Sequence, residues 1–594
     1  MSLKRGRRVT QDRGDHTKTV RTTKNRSRGV TDGIAEPRPL TRIKFGYSIA
    51  KSSLREGELA QLAKDLTITR PNPFTYSGKD EVVMKLFQET KSLVVVPRNY
   101  GVAHFGPPAV DETLNGDPLG ADVKFVLSLR NGPKYRQKEA VDATLAALRR
   151  YRHTGCAQAL VVKPCGSGKT YTAMAIVAAL GYKAFVLVGS KLQMYQFYDS
   201  IVGNESEGRL ACMPAAKVGL LGDGKCDTLD KDIVIGTVQS LMRYTRSEAR
   251  EKLNVDAYGV LILDECHHVP TQTFYGVIRL FRAAYRVYLT ATHIRDDGIP
   301  LDAITGPPTY DQPFVWTYVK LLTLRYWAED TSIMRSFRAG KTTMNWAGMM
   351  GRAECDENRN NIIVELMTKL HATLSPVEQV IIVGSCVEHL DRLTQMANEA
   401  MPQPPDSDKP LADYVCDKTP EKQRKVVYTS RFILGTHGMF REAFDRKTVR
   451  VVIKVTPRKG LANCQQTDGR ATRECSGKGP TVIFDIVDML QTTILSSSYD
   501  KHRVNYYKKR DYDVEEVIVR NPSDLRDFVI PSSEKTQDEA HMSWAVVEME
   551  DRKREGRGRA KDRKTVTSIG GRKLLHIDAS EDPQDGTQVS FRAV

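Results

Sequence analysis

The sequence lacks three features that mark large classes of proteins. No apolar run is long enough to span a membrane, and the first residues are basic and polar rather than a hydrophobic signal core. The ten cysteines are scattered without a CxxC spacing. These absences argue against a membrane protein, a secreted disulfide scaffold and a zinc ribbon. We therefore expect an intracellular protein that is not secreted and has no membrane partner.

Acidic residues are scarce in two segments near the ends of the chain. Residues 1–30 contain ten Lys or Arg against two acidic residues, and residues 552–573 contain the same numbers. Together they account for nearly all of the net charge of +17. Both segments lack aromatic residues and apolar periodicity, which predicts disordered tails. Basic tails attract polyanions such as DNA or RNA. The alternative is a pair of solvated or nuclear-targeting tails.

The chain between the tails alternates short β-branched runs with amphipathic stretches. Runs such as KAFVLVGS and YGVLILDE are typical of buried parallel strands, and the pattern returns further on with EQVIIVGS and TVIFDIVD. We predict an α/β fold of two tandem parallel-sheet domains with a small N-terminal accessory domain. The predicted boundaries are a basic arm over 1–45, the accessory domain over 46–125, the first α/β domain over 126–310, a connector or insertion over 311–357, the second α/β domain over 358–520 and a C-terminal extension over 521–594.

The first chemical motif follows a strand-like run and opens a helix. It reads Pro164-Cys165-Gly166-Ser167-Gly168-Lys169-Thr170. A glycine turn between a strand and a helix directs backbone N–H groups at an anion. In such a phosphate loop the lysine reaches the β- and γ-phosphates and the Thr hydroxyl ligates Mg²⁺. We predict that these residues bind ATP, although Lys163 stands where the strict pattern has a small residue.

A second motif, VLILDECHH, begins 91 residues after Lys169. Its four apolar residues bring two carboxylates to the carboxyl end of a strand, where ligands bind in open sheets. We expect Asp264 to hold Mg²⁺ through water and Glu265 to orient or deprotonate the attacking water. A single Cys-His-His cluster cannot surround a metal ion without partners. We therefore assign His267 to the link between the nucleotide and substrate sites.

Two later motifs narrow the class of nucleotide hydrolase. LTATHIRDDG (289–298) ends a strand with Thr290 and Thr292, whose hydroxyls are suited to relaying the nucleotide state. QQTDGRATR (465–473) spaces Arg470 and Arg473 three residues apart, on one face of a helix. Guanidinium groups that reach the γ-phosphate from a second domain act as arginine fingers, which supply roughly 10³–10⁵ in rate. A solvated arginine face is the alternative.

The run KHRVNYYKKRDY (501–512) has two interpretations. Its three tyrosines among basic residues could stack on a single nucleic-acid strand. They could instead pack a terminal helix on the second α/β domain. We favour the packed helix.

These motifs occur in the order used by superfamily 2 helicases and translocases. The order is RQKEAV (136–141), PCGSGKT, DECH, TAT, THGMFREAFD (436–445) and QTDGRATR (466–473). The chain resembles that superfamily over about residues 45–515. PCGSGKT with LTATHIRDDG is similar to its XPB/UvsW-like branch of DNA helicases. Relatives in that branch include the transcript-release helicases of poxviruses and iridoviruses. The resemblance implies two RecA-like domains with ATP and Mg²⁺ in the cleft between them.

The resemblance also implies roles for further residues. Gln137 would read the adenine, Gln466 would close on the nucleotide from the second domain, and Asp445 would couple hydrolysis to movement. Contacts to the nucleic-acid backbone would come from Ser190, Lys191, Thr237, Gln239 and Thr436. Such contacts hold phosphates and carry little sequence information.

We therefore predict an ATP-dependent DNA helicase or translocase, acting in viral transcription by transcript release or in DNA replication or repair. Gln466 differs from the His-Arg start of this motif in DEAD-box RNA helicases, which favours DNA. An RNA helicase or a protein-displacing remodeller is the enzymatic alternative, and a non-hydrolysing nucleic-acid-binding protein is the alternative of another class. The expected partners of this monomeric motor are DNA, single- or double-stranded, with RNA as a second candidate. Transcription or replication machinery in the nucleus or at a viral replication site is also expected.

Overall fold

The structure is a computed structural model. It describes residues 38–71, 81–205, 209–269, 271–292, 301–328, 335–338, 341–401, 409–442, 444, 446–456, 461–473, 475–489, 503–525, 530–543, 567–569 and 572–574. Asp445 and most of the two basic tails lie outside these residues. Within them, no helix is both long enough and apolar enough to cross a membrane.

The chain begins with a small mixed domain that corresponds to the predicted accessory domain. Its elements are β1 (Arg38–Ile43), β2 (Tyr47–Ala50), α1 (Glu58–Asp65), β3 (Thr67–Pro71), β4 (Glu81–Lys85), β5 (Gln88–Glu89), β6 (Leu93–Val96), α2 (Arg98–Phe105) and β7 (Pro108–Asp111). Five strands form one sheet in the order β5-β6-β2-β1-β7, while β3 and β4 form a separate antiparallel pair. The sheet therefore begins at Arg38, inside the segment predicted as a basic arm.

This accessory sheet packs directly on the next domain. Arg98 is 1% exposed and donates hydrogen bonds to the carbonyl oxygens of Lys44 and, at 2.7 Å, Ala283. Arg286 donates to the Phe45 carbonyl at 3.1 Å. The apolar residues of the two domains form one continuous buried cluster. The accessory sheet and the first α/β domain are thus joined through a shared core.

The first α/β domain contains eight strands in one sheet. Its strands are β8 (Ala157–Val162), β9 (Ala184–Val188), β10 (Val218–Gly222), β11 (Lys225–Cys226), β12 (Ile233–Thr237), β13 (Val260–Leu263), β14 (Tyr285–Thr290) and β15 (Pro308–Asp311). Its helices are α3 (Gln137–Arg150), α4 (Lys169–Leu180), α5 (Lys191–Val202), α6 (Val238–Leu241), α7 (Arg246–Leu253), α8 (Gln272–Ile278) and α9 (Asp302–Thr305). The order is β11-β10-β12-β9-β13-β14-β8-β15, parallel except for the edge pair β10–β11.

The second α/β domain contains a seven-stranded, wholly parallel sheet in the order β20-β21-β19-β22-β23-β16-β24. Its strands, with the separate pair β17–β18, are β16 (Val319–Tyr326), β17 (Arg335–Arg338), β18 (Lys341–Met344), β19 (Gln379–Gly384), β20 (Ala412–Val415), β21 (Phe432–Thr436), β22 (Val449–Lys454), β23 (Thr481–Asp488) and β24 (Asp513–Val519). Its helices are α10 (Trp346–Cys355), α11 (Glu357–Thr373), α12 (Val387–Ala400), α13 (Glu421–Val427), α14 (His437–Glu442), α15 (Leu461–Ala471) and α16 (Asn505–Lys509). The α/β class and the two parallel sheets confirm the predicted fold.

The structure places part of the predicted connector inside the second sheet. Strand β16, which lies within 311–357, pairs in parallel with both β23 and β24. Seven of its eight residues are buried, as a strand enclosed on both faces requires. The connector between the domains is therefore shorter than predicted. A further difference lies in the C-terminal tail, where β25 (Thr567–Ile569) pairs with β26 (Arg572–Leu574) inside a segment predicted to be disordered.

The tyrosines of the basic-aromatic run are buried in the second domain. Tyr506, Tyr507 and Tyr512 are at most 6% exposed and belong to its apolar core. The Tyr507 hydroxyl also donates to Asp485 on β23 at 2.8 Å. The packed-helix interpretation is confirmed.

Candidate active site

The phosphate loop links the buried strand β8 to the helix α4. Gly166 and Gly168 have φ values of +75° and +81°, a left-handed conformation that side chains rarely adopt. The Ser167 hydroxyl donates to the Pro164 carbonyl at 2.8 Å and closes the turn. Helix α4 begins at Lys169, so its first N–H groups face the loop. The backbone thus has the geometry that an anion-binding loop needs.

Gln137, the predicted adenine-reading residue, lies against the phosphate loop. Its Oε1 accepts a hydrogen bond from the Arg130 N–H at 2.9 Å, and its Nε2 donates to the Ser167 carbonyl at 3.3 Å. A Cβ placed on Gly168 would lie 2.1 Å from the same Nε2. Gln137 therefore supports the loop, and a glycine at position 168 makes room for it.

Asp264 and Glu265 follow strand β13 at the same edge of the sheet. Burial and the neighbouring Glu265 carboxylate raise the pKa of Asp264. Burial also acts to raise the pKa of Glu265, but the Lys169 ammonium and the His267 contact outweigh it and lower that pKa. In the part of the chain that the structure describes, Asp264 Oδ1 is buried without a hydrogen-bond partner. The Glu265 carboxylate is thus favoured in its ionised form by Lys169, while a buried oxygen of Asp264 makes no hydrogen bond within the described residues.

Glu265 is connected to the end of the next strand through His267. The backbone of Glu265 is left-handed, with φ +47°, a conformation that costs a non-glycine residue about 1 kcal/mol or more. Its Oε2 lies 3.3 Å from His267 Nδ1, which lies 3.1 Å from Thr290 Oγ1. Thr290 Oγ1 in turn contacts the main-chain N–H and carbonyl of Thr292 at 3.1 and 2.9 Å. The structure thus brings together Glu265, His267 and both threonines of the TAT motif.

The helix α15 carries Gln466, Arg470 and the residues that lead to Arg473. Gln466 and Arg470 are 1% and 8% exposed, and Arg470 Nε donates to the Phe440 carbonyl at 2.9 Å. A Cβ on Gly469 would lie 3.2 Å from Cys165 Cβ, and one on Gly166 would lie 3.7 Å from Arg473 Cγ. The helix from the second domain therefore faces the phosphate loop of the first across the cleft between them.

The cleft beside the phosphate loop encloses a cavity of about 100 Å³. Its lining combines Pro164 and Cys165 of the loop with Gly469 and Thr472 of the second domain. Lys134 Nζ crosses the cleft and donates to the Thr472 carbonyl at 3.1 Å. Both domains thus contribute to the walls of this cavity beside the phosphate loop.

The residues predicted to contact a nucleic-acid backbone lie at carboxyl ends of strands. Ser190 and Thr237 cap α5 and α6 through their hydroxyl oxygens, and Gln239 Nε2 donates to the Gly189 carbonyl at 3.0 Å. Lys191 Nζ pairs with Asp223 Oδ1 at 2.5 Å. Thr436 ends β21 in the second domain, directly before α14. The four first-domain residues form one group, while Thr436 belongs to the other sheet.

Two residues that sequence reasoning did not assign also lie at the site. Lys163 is fully buried, and its Nζ donates to Gln312 Oε1 at 2.8 Å and to the Tyr135 carbonyl at 2.5 Å. Gln312 begins the connector after β15. The departure of Lys163 from the phosphate-loop pattern was a signal in the sequence, but its partner lies 149 residues away.

The chain is similar to a restriction-enzyme family and to proteins named as helicases. Residues 131–295 match the family described as "Type III restriction enzyme, res subunit". The "Putative ATP-dependent RNA helicase L396" of Acanthamoeba polyphaga mimivirus is 22% identical over 486 residues, covering 80% of this chain and 86% of that protein.

Of two further relatives, one is named as a DNA helicase and the other as an RNA helicase. The "DNA 3'-5' helicase XPB" of Mycobacterium tuberculosis is 28% identical over 382 residues, covering 62% of this chain and 63% of that protein, somewhat less than two thirds of its length. The "Putative ATP-dependent RNA helicase QP509L" of African swine fever virus (isolate Pig/Kenya/KEN-50/1950) is 22% identical over 368 residues, covering 59% of this chain and 68% of that protein.

Proposed function

We propose that this chain, which is a superfamily 2 ATP-dependent helicase of the XPB/UvsW-like type, moves along DNA. The observation that carries the proposal is the approach of Gly469 and Arg473 to the phosphate loop across the cleft. A site completed by two domains is assembled when they close and taken apart when they open. Hydrolysis at such a site changes the distance between the two sheets. It also changes the distance between any contacts that the two domains make with a nucleic-acid strand.

Residues of both domains share the work at the nucleotide. Lys169 binds the β- and γ-phosphates, and the ionised Glu265 carboxylate orients the attacking water and accepts its proton. Arg470 and Arg473 stabilise the charge that develops on the transferred phosphoryl group. Because Asp264 Oδ1 lacks a hydrogen-bond partner within the described residues, the site fits Mg²⁺, which Asp264 and Thr170 would hold. The ion would neutralise phosphate charge there.

The contacts from Glu265 through His267 to Thr290 couple the nucleotide site to the residues that would bind nucleic acid. Each pair is within 3.3 Å, so a movement of the Glu265 side chain displaces the TAT motif. In this proposal the TAT motif couples the nucleotide state to the strand contacts at Ser190, Lys191, Thr237, Gln239 and Thr436.

DNA is the favoured track for two reasons. Gln466 replaces the His-Arg start of the corresponding motif in DEAD-box RNA helicases, and the XPB relative is named as a DNA helicase. The mimivirus and African swine fever virus relatives are named as RNA helicases, which keeps an RNA track as the second candidate. Displacement of transcripts or bound proteins from DNA would use the same motor without strand separation. A monomeric, intracellular motor working with transcription or replication machinery stays a prediction.

The test is ATP hydrolysis by the full chain without nucleic acid and with single-stranded DNA, duplex DNA or RNA. We expect DNA to stimulate turnover, and Glu265→Gln to abolish it while nucleotide binding remains. Stimulation by RNA alone would move the protein to the RNA track. No turnover under any condition would support a non-hydrolysing nucleic-acid-binding protein instead.

A further inference from the structure

Lys163 occupies an unusual position for a cation. It follows β8 directly before the phosphate loop, and its side chain is fully buried. A buried ammonium is costly unless hydrogen bonds replace its lost water. Here the Tyr135 carbonyl and Gln312 Oε1 accept from Nζ at 2.5 and 2.8 Å. The buried charge is thus held by two oxygens from distant parts of the chain.

Gln312 extends this contact to the segment before α3. Its Nε2 donates to the carbonyl oxygens of Lys134 at 2.9 Å and Pro133 at 3.4 Å. Its backbone N–H donates to the Val162 carbonyl oxygen at 2.9 Å. Lys163 and Gln312 together therefore hold the main chain of residues 133–135 against the strand that leads into the phosphate loop.

The side chain of Lys134 then reaches the other domain. Its Nζ donates to the Thr472 carbonyl at 3.1 Å. Thr472 lies between Arg470 and Arg473 in the sequence. A continuous series of contacts thus runs from β8 through Lys163, Gln312 and Lys134 to the end of α15, the helix that carries Arg470 and is called the arginine helix below. Gln137 is held separately, by Arg130 and Ser167.

We propose that Lys163 and Gln312 are positioning residues for ATP hydrolysis, which act through Lys134 to hold Arg470 and Arg473 over the phosphate loop. The proposal rests on the roles assigned above to the two arginines. Misplacement of a catalytic group by about 1 Å can lower the rate up to about 10²-fold. Loss of the series should therefore lower kcat, whereas the separately held Gln137 and the phosphate loop should keep the KM for ATP.

The experiment compares Lys163→Met, Gln312→Leu and Lys134→Met in the full chain. We expect kcat to fall about tenfold in each, with KM changed by less than about twofold. The double variant Lys163→Met/Gln312→Leu should be no worse than either single variant, because the two residues act as one unit. Gln312→Glu keeps an acceptor for Lys163 but loses the donor to Lys134, so it should behave like Lys134→Met.

A second readout separates positioning from folding. The transition-state analogue ADP–aluminium fluoride should lose about tenfold of its affinity in these variants, while ADP affinity is kept. Lys138→Met, an exposed lysine on α3, is the matched control and should change neither value. Should a core variant fail to fold, Lys134→Met still tests the contact across the cleft.

Three results would overturn the proposal: unchanged kcat in all three single variants, a raised KM with unchanged kcat, or equal losses of ADP and analogue affinity. Absence of ATP turnover in the unmodified chain is a different outcome, since it would refute the proposed function itself. The two failures are therefore distinguishable.

Discussion

The two α/β domains hold their functional residues by different means. In the first domain, the phosphate loop, Glu265 and the His267–Thr290 contact follow strands of one sheet, and glycine turns and strand ends place them. In the second domain, the arginine helix is attached to its sheet by buried charge, since Asp468 on α15 pairs with Lys454 on β22 at 2.6 Å.

That buried pair belongs to a larger network. Lys454 Nζ also donates to the Tyr507 hydroxyl at 2.9 Å, and Tyr507 donates to Asp485, which pairs with Arg503 at 2.5 Å. The network ties α15 and α16 to strands β22 and β23. The phosphate loop is shaped by glycine turns and by hydrogen bonds from Ser167 and Gln137. Helix α15, which carries the proposed arginine finger Arg470, is instead held by an ion pair within the second domain.

The largest expected effect tests whether the first domain binds ATP while the second stabilises the transition state. Arg470→Ala should lower kcat about 10³-fold or more while ATP binding is kept, because its guanidinium acts on transition-state charge. Lys169→Ala in the first domain should instead weaken ATP binding itself. Single-turnover hydrolysis and nucleotide titration distinguish the two, with the exposed Arg392→Ala on α12 as the control. If the kcat of Arg470→Ala stayed within tenfold of that of the unmodified chain, Arg470 would not stabilise the transition state.

The buried network predicts a large effect on stability. Asp468→Asn leaves the Lys454 ammonium buried without its carboxylate, and should lower the free energy of unfolding by about 3–5 kcal/mol. Asp142→Asn breaks an exposed pair with Lys138 on the first domain and should change it by less than about 1 kcal/mol. Urea denaturation measures both. Equal small changes would show that the arginine helix does not depend on buried charge.

A smaller effect is expected from the first-domain contact between Glu265 and the TAT motif. Thr290→Val removes the hydroxyl that His267 contacts, and should lower the ratio of DNA-stimulated to unstimulated turnover about fivefold, or ~1 kcal/mol. Thr292→Val keeps the main-chain groups that contact Thr290 and should have less effect. If the ratio of stimulated to unstimulated turnover were equal in both variants and the unmodified chain, His267 and Thr290 would not couple DNA binding to hydrolysis.

The smallest effect concerns the edge of the first domain that we propose binds nucleic acid. Asp223 pairs with Lys191 at 2.5 Å and accepts from the Tyr195 hydroxyl at 3.0 Å, so it would compete with a nucleic-acid phosphate for that lysine. Asp223→Asn should tighten DNA binding about threefold, in line with the ≲1 kcal/mol of exposed pairs. Fluorescence anisotropy at fixed salt measures the change, and Asp227→Asn, which breaks the pair with Lys231, is the control. An unchanged Kd would show that Lys191 does not bind the strand.

Elements whose functional residues are adjacent in the chain can be predicted from the sequence, while elements defined by distant partners cannot. The phosphate loop and Asp264-Glu265 were predicted because each is a strand followed directly by its functional residues, within a few positions of chain. The sequence predicts a connector where β16 lies, because the partners of this strand, β23 and β24, are more than 150 residues further on. The sequence left the tyrosines of residues 506–512 with two interpretations, since an amphipathic run does not reveal which surface covers it.

The sequence by itself determined the α/β class, the two parallel sheets and the motifs of the nucleotide site, because these depend on local periodicity and on residues adjacent in the chain. Only the tertiary structure decided what brings the two halves of the site together. Lys134 and Thr472 are 338 residues apart, and Lys163 and Gln312 are 149 apart. The first contact depends on how the two domains pack, and the second on the pairing of β8 with β15 within one sheet. No local pattern encodes either.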